Sequence, residues 1–300
     1  AEVTALVTFL DAGDCEGGGG TGLECMNCHA SVQDNGDGVP VGGRPAVTAD
    51  FAGTSHHLPG DGLLSADCLV CHEMTQHMRG RVRLLDVDDP TNASAVVELA
   101  ADPLTDDAEA AKLETFCLAC HDADGAAGSA PFSDGVTPTP VSASAWTQSA
   151  HEGNGLTCFG GGSSGGCHSS GHGTEQTAML ASAYATDDGT TYTAGRFQAC
   201  WNCHDATATV YGSNAFLDLH KKHVVDEKAA CAVCHDPHGS YDAAEVGMIT
   251  FARAIDRGYS FSLLTGSSLS AAFDAAATGG PTCALRCHGE THNAWPYDGD

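Results

Sequence analysis

Apolar positions along this chain come in short runs that Gly, Pro, Asn and Asp interrupt, so little regular secondary structure is predicted. One stretch has clear helical periodicity. A capping residue within Thr105–Asp107 precedes Ala108–His121. At helical spacing, four side chains of that stretch fall on one face: Leu113, Phe116, Cys117 and Cys120. A second, shorter helix is predicted from Asp226 into Cys234.

The longest apolar stretches, such as residues 95–101, fall far short of the roughly 18 to 20 apolar residues that a membrane span needs. We therefore expect no membrane span. The chain also lacks a basic segment followed by an apolar one at its start, so an exported protein would have lost its signal peptide before residue 1.

The composition leaves little material for an ordinary apolar core. Aromatic residues make up only 6% of the chain and Gly occurs 37 times, so something else must supply the buried apolar mass. The fold class we predict is mostly irregular coil with a few short α-helices and little β-structure. We expect one unit over 1–300, with a soft boundary near 131–145, where Pro alternates over 136–141.

Charge narrows the range of partners. The chain has 39 Asp plus Glu against 12 Lys plus Arg, a formal net charge of −27. Nucleic acid is therefore not expected as a partner. We expect instead a solvated acidic surface, which suits salty surroundings or basic partners.

A short signature recurs at irregular intervals along the chain. Cys, two residues, Cys, His occurs five times, and two looser copies lengthen the gap between the cysteines to eight and three residues. The fourteen cysteines of the seven copies are Cys25, Cys28, Cys68, Cys71, Cys117, Cys120, Cys158, Cys167, Cys200, Cys203, Cys231, Cys234, Cys283 and Cys287. The histidines that follow them are His29, His72, His121, His168, His204, His235 and His288.

This signature is the attachment sequence of c-type haem. Two thiols one helical turn apart add across the two vinyl groups, and the next residue lies under the iron as its proximal ligand. Disulfides or zinc sites with coincidental histidines are the alternative, but zinc-binding cysteine pairs seldom carry His after the second Cys every time. The sequence thus predicts about seven haems, in a three-haem part over 1–135 and a four-haem part over 141–300.

The looser copy at Cys158 leaves an alternative open. Its Gly- and Ser-rich insert can loop out and leave both thiols in reach of the vinyl groups. If Cys158 is not attached to haem, it can pair with Cys15, the one cysteine outside the motifs. Otherwise Cys15 is a free, intermolecular or buried thiol.

Nine further histidines are candidates for the distal side of each iron: His56, His57, His77, His151, His172, His220, His223, His238 and His292. Nine candidates for seven positions mean that every iron can be bis-histidine. One of the adjacent pair His56 and His57 is not expected to be a ligand. Seven haems in 300 residues leave too little protein to insulate each ring, so electrons are expected to pass between neighbouring haems.

The seven motifs make the chain resemble the multihaem c-type cytochromes over nearly its whole length, from Cys25 to His292. Sparse aromatic residues and surplus histidines are similar to the polymerising extracellular cytochromes, the nanowires of metal-respiring microbes. The resemblance implies a haem row and self-association into a homopolymer, in which His56 or His57 is our candidate to ligate a haem of the next subunit. It also implies an exported protein, extracellular or at the cell surface, with redox proteins or extracellular acceptors as partners.

Electron transfer without catalysis is accordingly the predicted function, with no catalytic residues. Two alternatives remain open: a monomeric electron shuttle in the periplasm, and a reductase of nitrite, hydroxylamine or sulfur oxyanions. A reductase needs an iron with an open position, and here the supply of His exceeds the demand.

Overall fold

In the computed structural model the described residues are 25, 29, 46–59, 63–74, 81–89, 96–122, 125, 130–160, 166–212, 219–239, 246–251, 262–263, 273–274, 282–287 and 290–293. Four residues of the sequence analysis lie outside them: Cys15, Cys28, His77 and His288.

The longest described helix coincides with the clearest pattern in the sequence. It spans Asp107–His121, and the Asp106 carboxylate accepts hydrogen bonds from the backbone N–H groups of Ala108 and Glu109 at its start. Leu113 on the predicted face is buried, and Phe116 and Cys117 pack against the same cluster. The predicted helix is confirmed, with a cysteine motif in its last turn.

The other α-helices of the described ranges are short. With the long helix included as α3, the α-helices in chain order are α1 Thr48–Phe51, α2 Ser65–Cys71, α3 Asp107–His121, α4 Ala143–Thr147, α5 Ala150–Gly153, α6 Gln198–Trp201 and α7 Ala206–Tyr211. Turns of 3-10 helix lie at Thr177–Met179, Ala194–Phe197, Cys231–Val233 and Val246–Met248, and a π-helical turn at Lys221–Asp226.

The second predicted helix, from Asp226 into Cys234, is wrong. The π-helical turn ends at Asp226, and a separate 3-10 turn begins at Cys231. Lys228 between them has a left-handed φ of 60°, which a helix cannot contain. The Ala229 N–H donates to the His223 carbonyl at 2.8 Å and closes the first turn.

The strands are short and form four small sheets. Their bounds are β1 Ser55–His56, β2 Val82–Leu84, β3 Val97–Leu99, β4 Thr157–Phe159, β5 Gly166–His168, β6 Gly173–Thr174, β7 Ser262–Leu263, β8 Phe273–Asp274, β9 Thr282–Cys287 and β10 Glu290–Asn293. β1 pairs with β6, β2 with β3, and β9 with β7, β8 and β10, all antiparallel. β4 and β5 pair in parallel.

The chain divides into two units, and the division corrects the predicted parts. The first unit is 1–140 with 157–179, and the second is 141–156 with 180–300. The chain leaves the first unit after Pro140, which lies within the predicted boundary. It returns to the first unit at Thr157, so β4 and β5 belong to that unit. There Phe159 packs against the cluster of Leu84 from β2, Leu99 from β3 and Leu113 from α3. The first unit thus carries four motifs and the second three, the reverse of the expected order.

Apolar packing within each unit is local. The largest buried cluster among the described residues has four members, Phe197, Ala229, Ala230 and Val233, and the other two have three and two. Motif cysteines pack against all three clusters: Cys231 and Cys234, Cys117, and Cys234 with Cys287. The protein's own apolar side chains therefore surround the thiols.

Candidate haem sites

The five regular motifs share one backbone geometry, a single helical turn. In four of them the N–H of the histidine donates to the carbonyl of the first cysteine. These pairs are His29 to Cys25 (3.0 Å), His72 to Cys68 (2.9 Å), His204 to Cys200 (3.0 Å) and His235 to Cys231 (2.9 Å). The fifth, Cys117 to His121, is the last turn of α3. Side chains three apart on such a turn lie about 5–6 Å from each other, the spacing that attachment of one haem requires.

The motif with the long insert reaches a similar spacing by another route. β4 and β5 pair in parallel with Thr157 opposite Gly166 and Phe159 opposite His168, which sets Cys158 opposite Cys167. Paired strands lie about 4.8 Å apart, and opposite residues face the same side. Strand pairing therefore brings Cys158 and Cys167 together across the eight-residue insert. Cys158 carries a free thiol.

The last motif is different. Cys283 and Cys287 both lie in β9, four positions apart and on the same face. At about 3.4 Å per residue their Cα atoms are about 13 Å apart, roughly twice the spacing of the helical motifs. Two thioethers to one haem do not fit this strand, so the prediction for Cys283 and Cys287 does not agree with the described backbone.

Histidine rings from distant parts of the sequence face each other in five pairs. The pairs and their centroid separations are His72 with His172 (6.1 Å), His121 with His57 (6.0 Å), His204 with His151 (6.3 Å), His235 with His220 (6.0 Å) and His223 with His292 (5.9 Å). The first four pairs each combine a predicted proximal histidine with a predicted distal one.

These separations match two axial ligands on one iron. An imidazole nitrogen binds a first-row metal at about 2.0 Å, and its ring centroid lies about 1.1 Å farther, so trans ligands place their centroids about 6.2 Å apart. Two imidazoles on a tetrahedral metal would have their ring centroids about 5 Å apart. Among the described residues, five histidine pairs therefore have a spacing that would suit two imidazole ligands of one haem iron.

Hydrogen bonds at Nδ1 orient the paired rings. Nδ1 donates to a backbone carbonyl oxygen in His57 (Gly171, 2.6 Å), His121 (Thr139, 2.8 Å), His151 (Pro237, 3.0 Å), His223 (Leu219, 2.9 Å) and His235 (Gly247, 2.8 Å). In His172 it lies 3.5 Å from the Asp50 carboxylate. Such a partner fixes the tautomer and leaves Nε2 for a metal. The acceptors are mostly main-chain atoms, for which the sequence carries no signal.

Burial favours the neutral form of several of the paired imidazoles. It lowers the pKa of His220 to about 4, with smaller contributions from His235 and His223. Burial likewise lowers the pKa of His57, His235 and His292. A neutral ring has the lone pair that metal binding needs.

Thiols of successive motifs adjoin within each unit. In the first unit the Cys25 and Cys68 thiols adjoin, and their interaction lowers the pKa of Cys25 to about 6 and raises that of Cys68. Burial raises the pKa of Cys71 to about 12 and the nearby Cys120 thiol adds to the shift, as Cys158 does for Cys117.

In the second unit the Cys200 and Cys231 thiols adjoin, and their interaction lowers the pKa of Cys200 and raises that of Cys231. Burial raises the pKa of Cys234 to about 12, and Cys283 and Cys287 are the neighbours that add to it. The motifs thus adjoin in sequence order, four in the first unit and three in the second.

Two distal candidates have other surroundings. His56 is exposed, because alternation in β1 turns it away from the face of its neighbour His57. The Nδ1 of His238 lies 3.1 Å from the wholly buried Asp236 carboxylate, which also accepts the His238 backbone N–H.

One buried donor also fits a haem. The indole nitrogen of Trp146, a residue only 5% exposed, has no acceptor within the described ranges. Haem brings propionate carboxylates, acceptors of the kind that a buried N–H needs.

Comparisons with protein families, with curated proteins and with solved structures found no match to this chain. Across the part of the chain that the structure describes, no three His, Cys, Asp or Glu side chains gather into a cluster for a bare metal ion. Nor does any helix in those ranges combine the length and apolar character of a membrane span.

Proposed function

We propose that this chain is a multihaem c-type cytochrome that transfers electrons through about seven covalently bound, bis-histidine haems. The observation that carries the proposal is the set of five imidazole pairs at the separation of trans ligands, four of which contain a motif histidine. When bound, each haem supplies an iron that alternates between the ferrous and ferric states.

The paired histidines favour electron transfer over catalysis on a substrate. Each pair would supply two imidazole ligands to one haem iron, so a small substrate would find no coordination site there. Nδ1 hydrogen bonds to main-chain carbonyls fix the orientation of four of these rings, those of His57, His121, His151 and His235, which would favour keeping them as ligands. No observation on the described residues favours the reductase alternative.

Adjoining thiols give the electron path its order. Contacts between Cys25 and Cys68, and between Cys200 and Cys231, bring the edges of successive haems together, since each thiol bonds to the rim of its ring. The path follows the motifs in sequence order within each unit.

The proposal extends to an exported homopolymer, extracellular or at the cell surface, with electrons crossing between subunits to an extracellular acceptor. It rests on the resemblance to filament cytochromes and on a net charge of −27, which suits a salty exterior. A monomeric periplasmic shuttle would have the same haem sites.

The test is the haem content and spin state of the purified ferric holoprotein. Pyridine haemochrome should give about seven haems per chain, and low-temperature EPR should show low-spin signals only. Adding cyanide or nitrite should leave the spectra unchanged. A high-spin signal that responds to nitrite would support the reductase instead, and fewer than five haems would overturn the proposal.

Electron microscopy and light scattering of the same sample test the polymer. Filaments with continuous haem spacing are expected, and their persistence should depend on salt, because like-charged subunits repel. A monodisperse monomer at all protein concentrations and salt levels would contradict the homopolymer and leave the shuttle.

A further inference from the structure

Trp146 combines deep burial with a hydrogen-bond donor that has no acceptor among the described residues. It lies in α4, and only 5% of its surface is exposed. The unpaired donor is its indole nitrogen. A buried N–H that stays unpaired is costly, so the large majority of such groups in folded proteins have an acceptor. The indole N–H of Trp146 is thus available to an acceptor on a bound group.

The corner between α4 and α5 fixes the position of this residue. The Ser149 N–H donates to the Trp146 carbonyl at 2.9 Å. The Ser149 hydroxyl then caps α5 by accepting from the Glu152 N–H at 3.1 Å. Gly239 packs directly on α4, since a Cβ there would collide with the Ala145 carbonyl oxygen. Trp146 is therefore anchored by the turn into α5 and by the loop that contains Gly239.

The same corner carries one ring of a histidine pair. His151 lies in α5, five residues after Trp146, and its ring centroid is 6.3 Å from that of His204. A hydrogen bond from its Nδ1 to the Pro237 carbonyl oxygen, at 3.0 Å, orients the His151 ring. His204 closes a helical-turn motif, in which its N–H donates to the Cys200 carbonyl at 3.0 Å. The buried indole and this haem site thus share one corner of the second unit.

A haem at this motif would bring acceptors for the indole. Its propionates are carboxylates, and a hydrogen bond to a charged acceptor is roughly twice as strong as one between neutral groups. Cations that could pair with propionates are scarce, because the chain has only 12 Lys plus Arg. Three cations of the second unit already have carboxylate partners: Arg196, Lys221 and Lys222. A neutral donor such as the indole N–H is therefore well suited to bind a propionate here.

We propose that the Trp146 indole N–H donates a hydrogen bond to a propionate of the haem attached at Cys200 and Cys203. His151 and His204 are the axial pair of that haem. The inference rests on the proposed function, because it presupposes this haem. Trp146 is a positioning residue in this role: it holds the haem edge at the α4–α5 corner and offsets part of the negative charge of the propionate, which favours the reduced iron.

The first test is a redox titration of the Trp146→Phe holoprotein, which lacks the donor but keeps an aromatic ring. It should retain the wild-type haem number and low-spin signals and lower one reduction potential, because the propionate charge is no longer offset. Tyr211→Phe removes an exposed hydroxyl of the same unit and is the control, with all potentials expected at wild-type values. Unchanged potentials in Trp146→Phe would overturn the proposal.

Nitrogen-15 labelling of the indoles gives a direct NMR readout. The chain has three Trp residues, and the signal lost in Trp146→Phe is that of Trp146. Trp146→Tyr provides the same assignment if the Phe variant does not fold. The signal should move strongly between the ferric and ferrous proteins, because a paramagnetic iron lies near it, and its proton should exchange slowly. A signal at the same position in both states would contradict the proposal.

A double variant identifies the haem. His151→Met should raise one potential, because methionine in place of an axial histidine raises the potential of its haem. In Trp146→Phe/His151→Met both changes should fall on the same haem, so at most one potential departs from the wild-type set. Two shifted potentials would overturn the assignment to this haem. Failure of the proposed function is seen separately, as a wild-type peptide with Cys200 and Cys203 that carries no haem.

Discussion

The His57 ring faces the His121 ring at 6.0 Å, although one lies at the end of a two-residue strand and the other at the end of the longest described helix. Both rings donate Nδ1 hydrogen bonds to main-chain carbonyls, of Gly171 and Thr139. Two elements far apart in the sequence thus meet at one iron-sized gap. The stability of the first unit is expected to depend on what fills that gap.

The adjacent histidines His56, the last residue of β1, and His57, which directly follows it, provide a matched pair of variants. His57→Ala should convert one haem of the holoprotein to high spin, because it removes one of two axial ligands. His56→Ala should leave every haem low-spin, since the His56 side chain is exposed and points away. EPR at unchanged haem content is the measurement. The reverse result would assign His56 as the ligand.

Asp50 is expected to tune one haem through His172. Its carboxylate lies 3.5 Å from Nδ1 and makes the imidazole a stronger donor to the oxidised iron. Asp50→Asn should therefore raise one reduction potential, because removing a negative charge favours the reduced state. Asp134→Asn, at an exposed carboxylate of the same unit, is the control for general charge effects. Equal shifts in both variants in a redox titration would rule out a specific role for Asp50.

The parallel pairing of β4 and β5 predicts that Cys158 and Cys167 attach to the same haem. Cys158→Ala and Cys167→Ala should each leave one unreacted vinyl group and shift the pyridine haemochrome band of one haem. Cys15→Ala should change neither the band nor the haem number. Peptide mass spectrometry of the wild type should join the Cys158 and Cys167 peptides through one haem. A disulfide between Cys15 and Cys158 would contradict this.

Gly173 is expected to be required for the contact between β1 and β6. A Cβ there would collide with the carbonyl oxygens of Asp50 and Ser55, whereas a Cβ at Gly171 meets nothing within 4 Å. Gly173→Ala should lower the free energy of unfolding by about 1–3 kcal/mol through the forced backbone shift. Gly171→Ala should stay within about 0.5 kcal/mol of wild type. Urea unfolding of both holoproteins measures the difference, and equal midpoints would refute it.

Lowering the pH is expected to destabilise the protein already at pH values above those at which carboxylates titrate. Burial lowers the pKa of His220 to about 4, while in the unfolded chain a histidine has a pKa of about 6.5. Between these values the unfolded state binds a proton that the folded state does not, so the free energy of unfolding falls as the pH falls. Urea midpoints at pH 7.5 and 5 measure this.

Repulsion among the acidic side chains acts in the opposite direction, because protonation reduces the net charge of −27. The measurement is therefore made at about 1 M salt, where charges beyond about 3 Å are screened. A midpoint that is constant or higher at pH 5 under these conditions would contradict the histidine effect.

Local features could be predicted from the sequence because they depend on neighbouring residues. The helix that ends at His121 follows from the Asp106 cap and the apolar face of Leu113. The helix expected through Lys228 failed because that residue adopts a left-handed conformation, which nothing in its side chain requires. The spacing of Cys283 and Cys287 gave no signal of the pairing with β10 that extends this segment as a strand.

Long-range pairing could not be predicted. The sequence supplied nine candidate histidines but not their partners, because which rings meet depends on how β1, β6 and the helices pack. The four-and-three division of the motifs has the same origin. It follows from β4 and β5 packing against α3, a contact between segments about 50 residues apart in the sequence.

The two strands β1 and β6 also join one histidine pair to the next. The His57 N–H donates to the His172 carbonyl at 3.1 Å, while the two rings face His121 and His72. Thermal motion of one pair is therefore transmitted to the other through a main-chain hydrogen bond. If the proposed haems occupy these two pairs, this bond would limit their relative motion. Because tunnelling falls steeply with distance, it would then narrow the spread of hopping times between the two centres and keep the slowest step from being set by rare, widely separated conformations.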